Sequence, residues 1–235
     1  MQQRVELLQK EKEAQRTLDG IGAQIRDLGM VPVTKPYTFT DTHSGLAVEL
    51  SDLFDGRQQL VVYHFMLAPD QKAGCNGCSF VADQLPDQTH LNARNTTLAL
   101  VSRAPMETIN AYKERMGWTF PWFSSFGSDF NHDFHATLDE AVRPVEYNYD
   151  DQETLAKKKK NVPTKGESPG LSVFFRQGRD VFHSYSTYAR GLERVLTTNA
   201  LLDVTPLGRQ DDRYGDWKRH DEYEPTELHR QEEVA

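Results

Sequence analysis

Cysteine is scarce, with two among 235 residues. That is too few for the disulfide scaffold of a small secreted domain, and a chain of this length buries a core without one. Long apolar runs are missing as well: no stretch approaches the roughly 18 consecutive apolar residues of a membrane span. The opening Met1-Gln2-Gln3-Arg4-Val5-Glu6 lacks the apolar run of a secretory signal. A cytoplasmic protein without membrane partners is therefore expected. Positive charge is the third shortage. Lys and Arg number 27 against 35 Asp and Glu, a net charge of −8, and phosphate-backbone affinity comes mainly from many Lys and Arg contacts, so nucleic acid is not an expected partner.

What remains divides into three parts. In residues 4 to 28 there is no proline, and Val5, Leu8, Leu18, Ile21, Ile25 and Leu28 recur mostly every three or four positions, the pattern of an amphipathic helix. Gly20 and Gly22 lower its helix propensity, and its apolar stripe calls for a covering surface, either the main domain or a second subunit. The expectation is a helical extension over 1–30 that forms a homodimer. A main domain follows over 31–207, and a charged tail over 208–235.

Within the main domain, Tyr37 to Thr40 and Leu46 to Leu50 alternate polar and apolar residues around Asp41-Thr42-His43-Ser44-Gly45, a hairpin pattern. Leu60 to Met66 is a nearly continuous apolar run, as in a strand covered on both faces. The sequence Cys75-Asn76-Gly77-Cys78 then opens a helical stretch, followed by a second apolar strand from Thr97 to Ser102 and a helix from Pro105 to Met116. Residues 139 to 168 are polar, with a solvated lysine run at 157 to 160. Leu171 to Arg176 and Val181 to Ser186 form a hairpin signature, and Gly191 to Leu202 is a helix candidate. Hairpin, buried strand, C-x-x-C helix, strand, helix, hairpin and helix is the order of a thioredoxin-like α/β/α sandwich with an N-terminal β-hairpin.

A lone C-x-x-C points to thiol-disulfide chemistry or to half of a metal site. Thiols attack as thiolates, and the free N–H groups at a helix N-terminus lower the pKa of a cysteine placed there. Cys75 is thus the expected nucleophile. Cys78, one turn later on the same face, is the expected resolving thiol. The metal alternative would recruit His132 and His135, whose H-x-x-H spacing is one short of the usual zinc-site minimum; no metal or other cofactor is expected. Trp118, Phe120, Trp122 and Phe123 either line a hydrophobic groove for substrate beside the cysteines or belong to the core.

The chain resembles a bacterial thioredoxin-like family, domain of unknown function 899, related to the alkyl hydroperoxide reductase and thiol-specific antioxidant superfamily. The resemblance is carried by Tyr63-His64-Phe65-Met66, Gly74-Cys75, Cys78-Ser79-Phe80, Val101-Ser102-Arg103-Ala104-Pro105, Arg115-Met116-Gly117-Trp118, Gly127-Ser128-Asp129-Phe130-Asn131 and Ser184 through Gly191. By analogy with thioredoxins, Pro169 would be a cis-proline beside the nucleophile, leaving the backbone of Ser168 free to pair with an extended substrate. His64 falls near the place of the buried thioredoxin acid and would shuttle a proton for Cys78, unless it is a core histidine bonded to backbone. Arg103 would favour a thiolate or a peroxide oxygen, as peroxiredoxin arginines do, unless it faces solvent. Three functions stay open: a thiol-disulfide oxidoreductase acting on protein or small-molecule thiols and disulfides, a peroxiredoxin-like peroxidase, and a non-catalytic binding module.

Overall fold

In a computed structural model the described residues are 2–160, 162–210 and 217–225. The chain opens with helix α1 (Gln2–Arg26), which buries none of its residues. Gly20 and Gly22 do not interrupt it, and Val5, Leu7, Leu8, Leu18 and Ile21 stay exposed. No described helix is long and apolar enough to cross a membrane.

Strands β1 (Val31–Pro32), β2 (Thr38–Asp41) and β3 (Ala47–Glu49) come next, with β2 and β3 paired antiparallel. Then follow β4 (Gln59–His64), α2 (Asn76–Ala82), α3 (Gln88–Asn92), β5 (Thr96–Ser102), α4 (Met106–Arg115), β6 (Trp122–Ser124) and α5 (Phe130–Asp133). Short elements fill the stretch from α5 to the final hairpin. They are β7 (Thr137–Asp139), β8 (Glu146–Tyr147), β9 (Asp150–Asp151), α6 (Gln152–Lys157) and β10 (Lys165–Glu167). The domain ends with the hairpin β11 (Gly170–Gln177) and β12 (Asp180–Tyr188), a 3-10 turn over Ala189–Val195, and α7 (Thr197–Leu202).

Eight strands form one sheet in the order β1-β12-β11-β4-β5-β6-β2-β3. The two apolar runs occupy its middle: β4 lies parallel to β5 and antiparallel to β11. Both faces of β4 are covered. One packs Tyr63 and Phe65 with Cys78, Val81 and Ala82 of α2 and Ile109 and Tyr112 of α4. The other packs Leu60 and Val62 with Leu53, Phe54 and Phe130. A parallel strand pair, an antiparallel hairpin beside it and helices on both faces make the thioredoxin-like α/β/α sandwich. The C-x-x-C helix starts just beyond the carboxyl end of its central strand.

Candidate active site

Strand β4 runs into Phe65 and Met66, and the chain returns after a short loop so that the Cys75 N–H donates to the Met66 carbonyl at 3.1 Å. Glycine stands at 74 because a Cβ there would meet the rings of Phe65 and Tyr112. Cys75 is the N-cap of α2 and is partly exposed, whereas Cys78 is buried; both thiols are free. The Ser79 hydroxyl, one turn in, donates to the Cys75 carbonyl at 2.8 Å and meets the Tyr112 hydroxyl at 2.7 Å.

The two sulfurs differ in acidity for physical reasons. A hydrogen bond from the Cys78 thiol lowers Cys75 to about 6, against the opposing effect of burial, with the N–H groups of Cys78 and Gly77 and the charge of Arg219 adding to it. Burial pushes Cys78 well above the usual thiol value, and the charge on Cys75 pushes it further. Two donors act the other way on Cys78: the Tyr63 hydroxyl and the Met66 N–H, 3.4 Å from Sγ. The arrangement is one partly exposed acidic thiol and one buried thiol held as its hydrogen-bond donor.

Several sequence expectations are corrected. His64 does not serve Cys78, because successive residues of a strand face opposite sides of the sheet. Its ring lies against Phe130 and Phe134, its Nε2 is 2.9 Å from the Ser172 hydroxyl, and its Nδ1 has no partner. Burial, helped by His183, lowers its pKa to about 3. The side chain that reaches Cys78 is its neighbour Tyr63.

Pro169 does not follow a cis bond, since none occurs among the described residues. The backbone before it is already paired: β10 lies antiparallel to β7, and the Ser168 N–H donates to the Ala136 carbonyl at 2.9 Å. Ser168 itself is buried. Trp122, 1% exposed, belongs to the core, with its Nε1 donating to the Ser102 hydroxyl at 3.0 Å. Trp118 and Phe120 pack beside it partly exposed, while Phe123 joins the opposite face. Arg103 is engaged by Glu167 at 3.0 Å, and the guanidinium that acts on Cys75 is that of Arg219.

His132 and His135 are not brought to the cysteines. Helix α5 packs by Phe130 on the face away from them, and no cluster of three or more His, Cys, Asp or Glu suited to a metal ion occurs among the described residues. A cavity of about 590 Å³ between Pro32–Tyr37, Glu49–Ser51 and Arg179–Phe182 includes neither thiol in its lining.

Comparison with known proteins adds a family. The model of a bacterial protein of unknown function, DUF899, matches residues 1–223. No curated protein matches. Among solved structures, the chain is similar to a PrxQ mutant of Xylella fastidiosa at 15% identity and TM-score 0.42, covering 70% of this chain and 88% of that one. It is also similar to peroxidoxin BcpB from Mycobacterium tuberculosis at 17% identity and TM-score 0.38, covering 73% and 94%.

Proposed function

The chain belongs to the DUF899 family, and we propose that it is a thiol-disulfide oxidoreductase in which Cys75 attacks and Cys78 resolves. One observation carries this reading: two adjacent thiols of opposed acidity, the partly exposed one lowered to about 6 and the buried one raised while donating to it. The Cys75 thiolate attacks one sulfur of a substrate disulfide, forming a mixed disulfide and releasing the other substrate sulfur as a thiolate. Cys78 then loses its proton and attacks Cys75 Sγ. The second substrate sulfur leaves as a thiol, and Cys75 and Cys78 share a disulfide that an external dithiol must reduce. Protein and small-molecule disulfides both suit this chemistry.

The test is direct. Limiting iodoacetamide at neutral pH should label Cys75 first, Cys75→Ser should lose disulfide turnover, and Cys78→Ser should accumulate mixed disulfides on Cys75. Preferential labelling of Cys78, or full activity in Cys75→Ser, would overturn the reading.

A peroxidase reading uses the same sulfur and is favoured by the positive charge of Arg219 near it. A peroxide would transfer one oxygen to Cys75, giving a sulfenic acid and an alcohol or water, and Cys78 would condense with it to a disulfide, releasing water. Steady-state peroxide consumption with a dithiol reductant separates the two.

The uncovered apolar stripe of α1 supports a homodimer through that helix. Deleting residues 1 to 28 should give a monomer by sedimentation, and an unchanged oligomeric state would remove this assignment.

A further inference from the structure

Residues 217–223 cross the helix that carries the cysteines. The Trp217 ring lies flat on Phe80 of α2, with centroids 4.1 Å apart and planes 9° from parallel. His220 Nδ1 is 2.7 Å from Asp83 at the end of α2. On the other side, Arg115 of α4 holds Asp221 at 2.7 and 3.0 Å and Glu222 at 3.0 Å. The segment is thereby fastened to both helices that cover this face.

At its centre, Arg219 donates from Nε and Nη2 to the Gly74 carbonyl at 3.1 and 2.6 Å, and from Nε to the Tyr112 hydroxyl at 3.1 Å. Glu222 holds the guanidinium in place, accepting from Nη1 at 2.7 Å. The Arg219 side chain is 19% exposed.

The Gly74 carbonyl belongs to the same peptide unit as the Cys75 N–H, and peptide units are planar. Arg219 grips this plate at one end and Met66 grips it at the other, where the Cys75 N–H donates at 3.1 Å. With both ends fixed, the direction in which Cys75 leaves the plate toward the start of α2 is fixed as well. The charge of the head that does the gripping favours the Cys75 thiolate.

We propose that residues 217–223 form a strap whose Arg219 is a positioning residue for Cys75, setting the peptide before the nucleophile and supplying positive charge that favours its thiolate. The proposal rests on Cys75 being the nucleophile. The ionisable groups that bear on this sulfur are Cys78 from α2 and Arg219 from the strap. Tyr112 and Glu222 hold the guanidinium, Tyr63 stands behind Cys78, and Asp83 with His220 closes the far end of α2.

The experiment measures the rate of Cys75 alkylation by iodoacetamide against pH in the reduced full-length chain, read at the Cys75 peptide by mass. The native midpoint should lie at about 6. Arg219→Ala should raise it by about one unit, which lowers the rate at pH 6 about fivefold. Arg219→Gln keeps a donor for Gly74 but no charge and should also move the midpoint up. Arg219→Lys keeps the charge without the fork and should fall between native and Ala. If Arg219→Ala does not fold, the Gln and Lys variants carry the same comparison. A native midpoint at the ordinary cysteine value would overturn the nucleophile assignment itself. A native midpoint near 6 that stays put in Arg219→Gln, whatever happens to thermal stability, would overturn the strap alone and leave the C-x-x-C reading standing.

Discussion

Tyr63 and His64 are consecutive on β4, each 1% exposed, and each carries a polar group into the interior. They face opposite sides of one sheet and meet opposite treatment. On the His64 side the lining is mostly phenylalanine, one ring nitrogen has a serine partner and the other has none, and the imidazole is held neutral with its pKa lowered to about 3. On the Tyr63 side, hydroxyl, thiol and N–H donors gather around two sulfurs, and one of them is lowered to about 6 despite burial. Burial acts against charge on both faces. What distinguishes the cysteine face is its number of donors.

The largest test of this contrast uses pH. With the thiol ionising at about 6, Cys75 labelling should rise about tenfold between pH 5 and pH 7 and then level off, because reaction follows the thiolate fraction. The opposite face should respond only through stability. A folded histidine lowered to about 3 binds its proton later than the unfolded chain does at about 6.5. The stability it contributes is therefore complete above about pH 6.5 and lost as pH falls toward 3. His64→Phe should flatten the fall of the urea midpoint between pH 7 and pH 4 while leaving the Cys75 labelling curve unchanged. A labelling curve that shifts with His64 would mean the two faces are coupled.

A smaller effect sharpens the other side. Tyr63→Phe removes the hydroxyl that favours the Cys78 thiolate. Loss of one such bond, about 1 kcal/mol, should slow resolution of a preformed mixed disulfide about fivefold in stopped-flow measurement. The first alkylation of Cys75 should not change. Equal slowing of both steps would argue that Tyr63 supports the fold rather than the resolving thiol.

The parts of this site that lie together in sequence are readable from it. Cys75 and Cys78 at the start of α2, and the buried strand that precedes them, need only local pattern. The side of that strand is harder. Its continuous apolar character, which reveals that both faces are covered, also hides which face holds the cysteines, so His64 and Tyr63 cannot be told apart by periodicity alone. Pro169 fails for a different reason: the polar stretch before it gives no sign that β10 would pair with β7 and occupy the backbone a substrate would need. Trp122 has the composition of a groove and the position of a core residue, a distinction that requires the Ser102 hydroxyl beside its indole nitrogen. Arg219 has no local signal, being one charge in a charged tail.

Arg219 and the Gly74 carbonyl it holds are 145 positions apart. Synthesis proceeds from the amino end, so both cysteines are made long before the residue that fixes the peptide in front of them. Through that interval the thiol keeps weaker support and stays closer to ordinary cysteine behaviour. On the strap proposal, the charge that Arg219 lends to Cys75 is the last part of the site to be made.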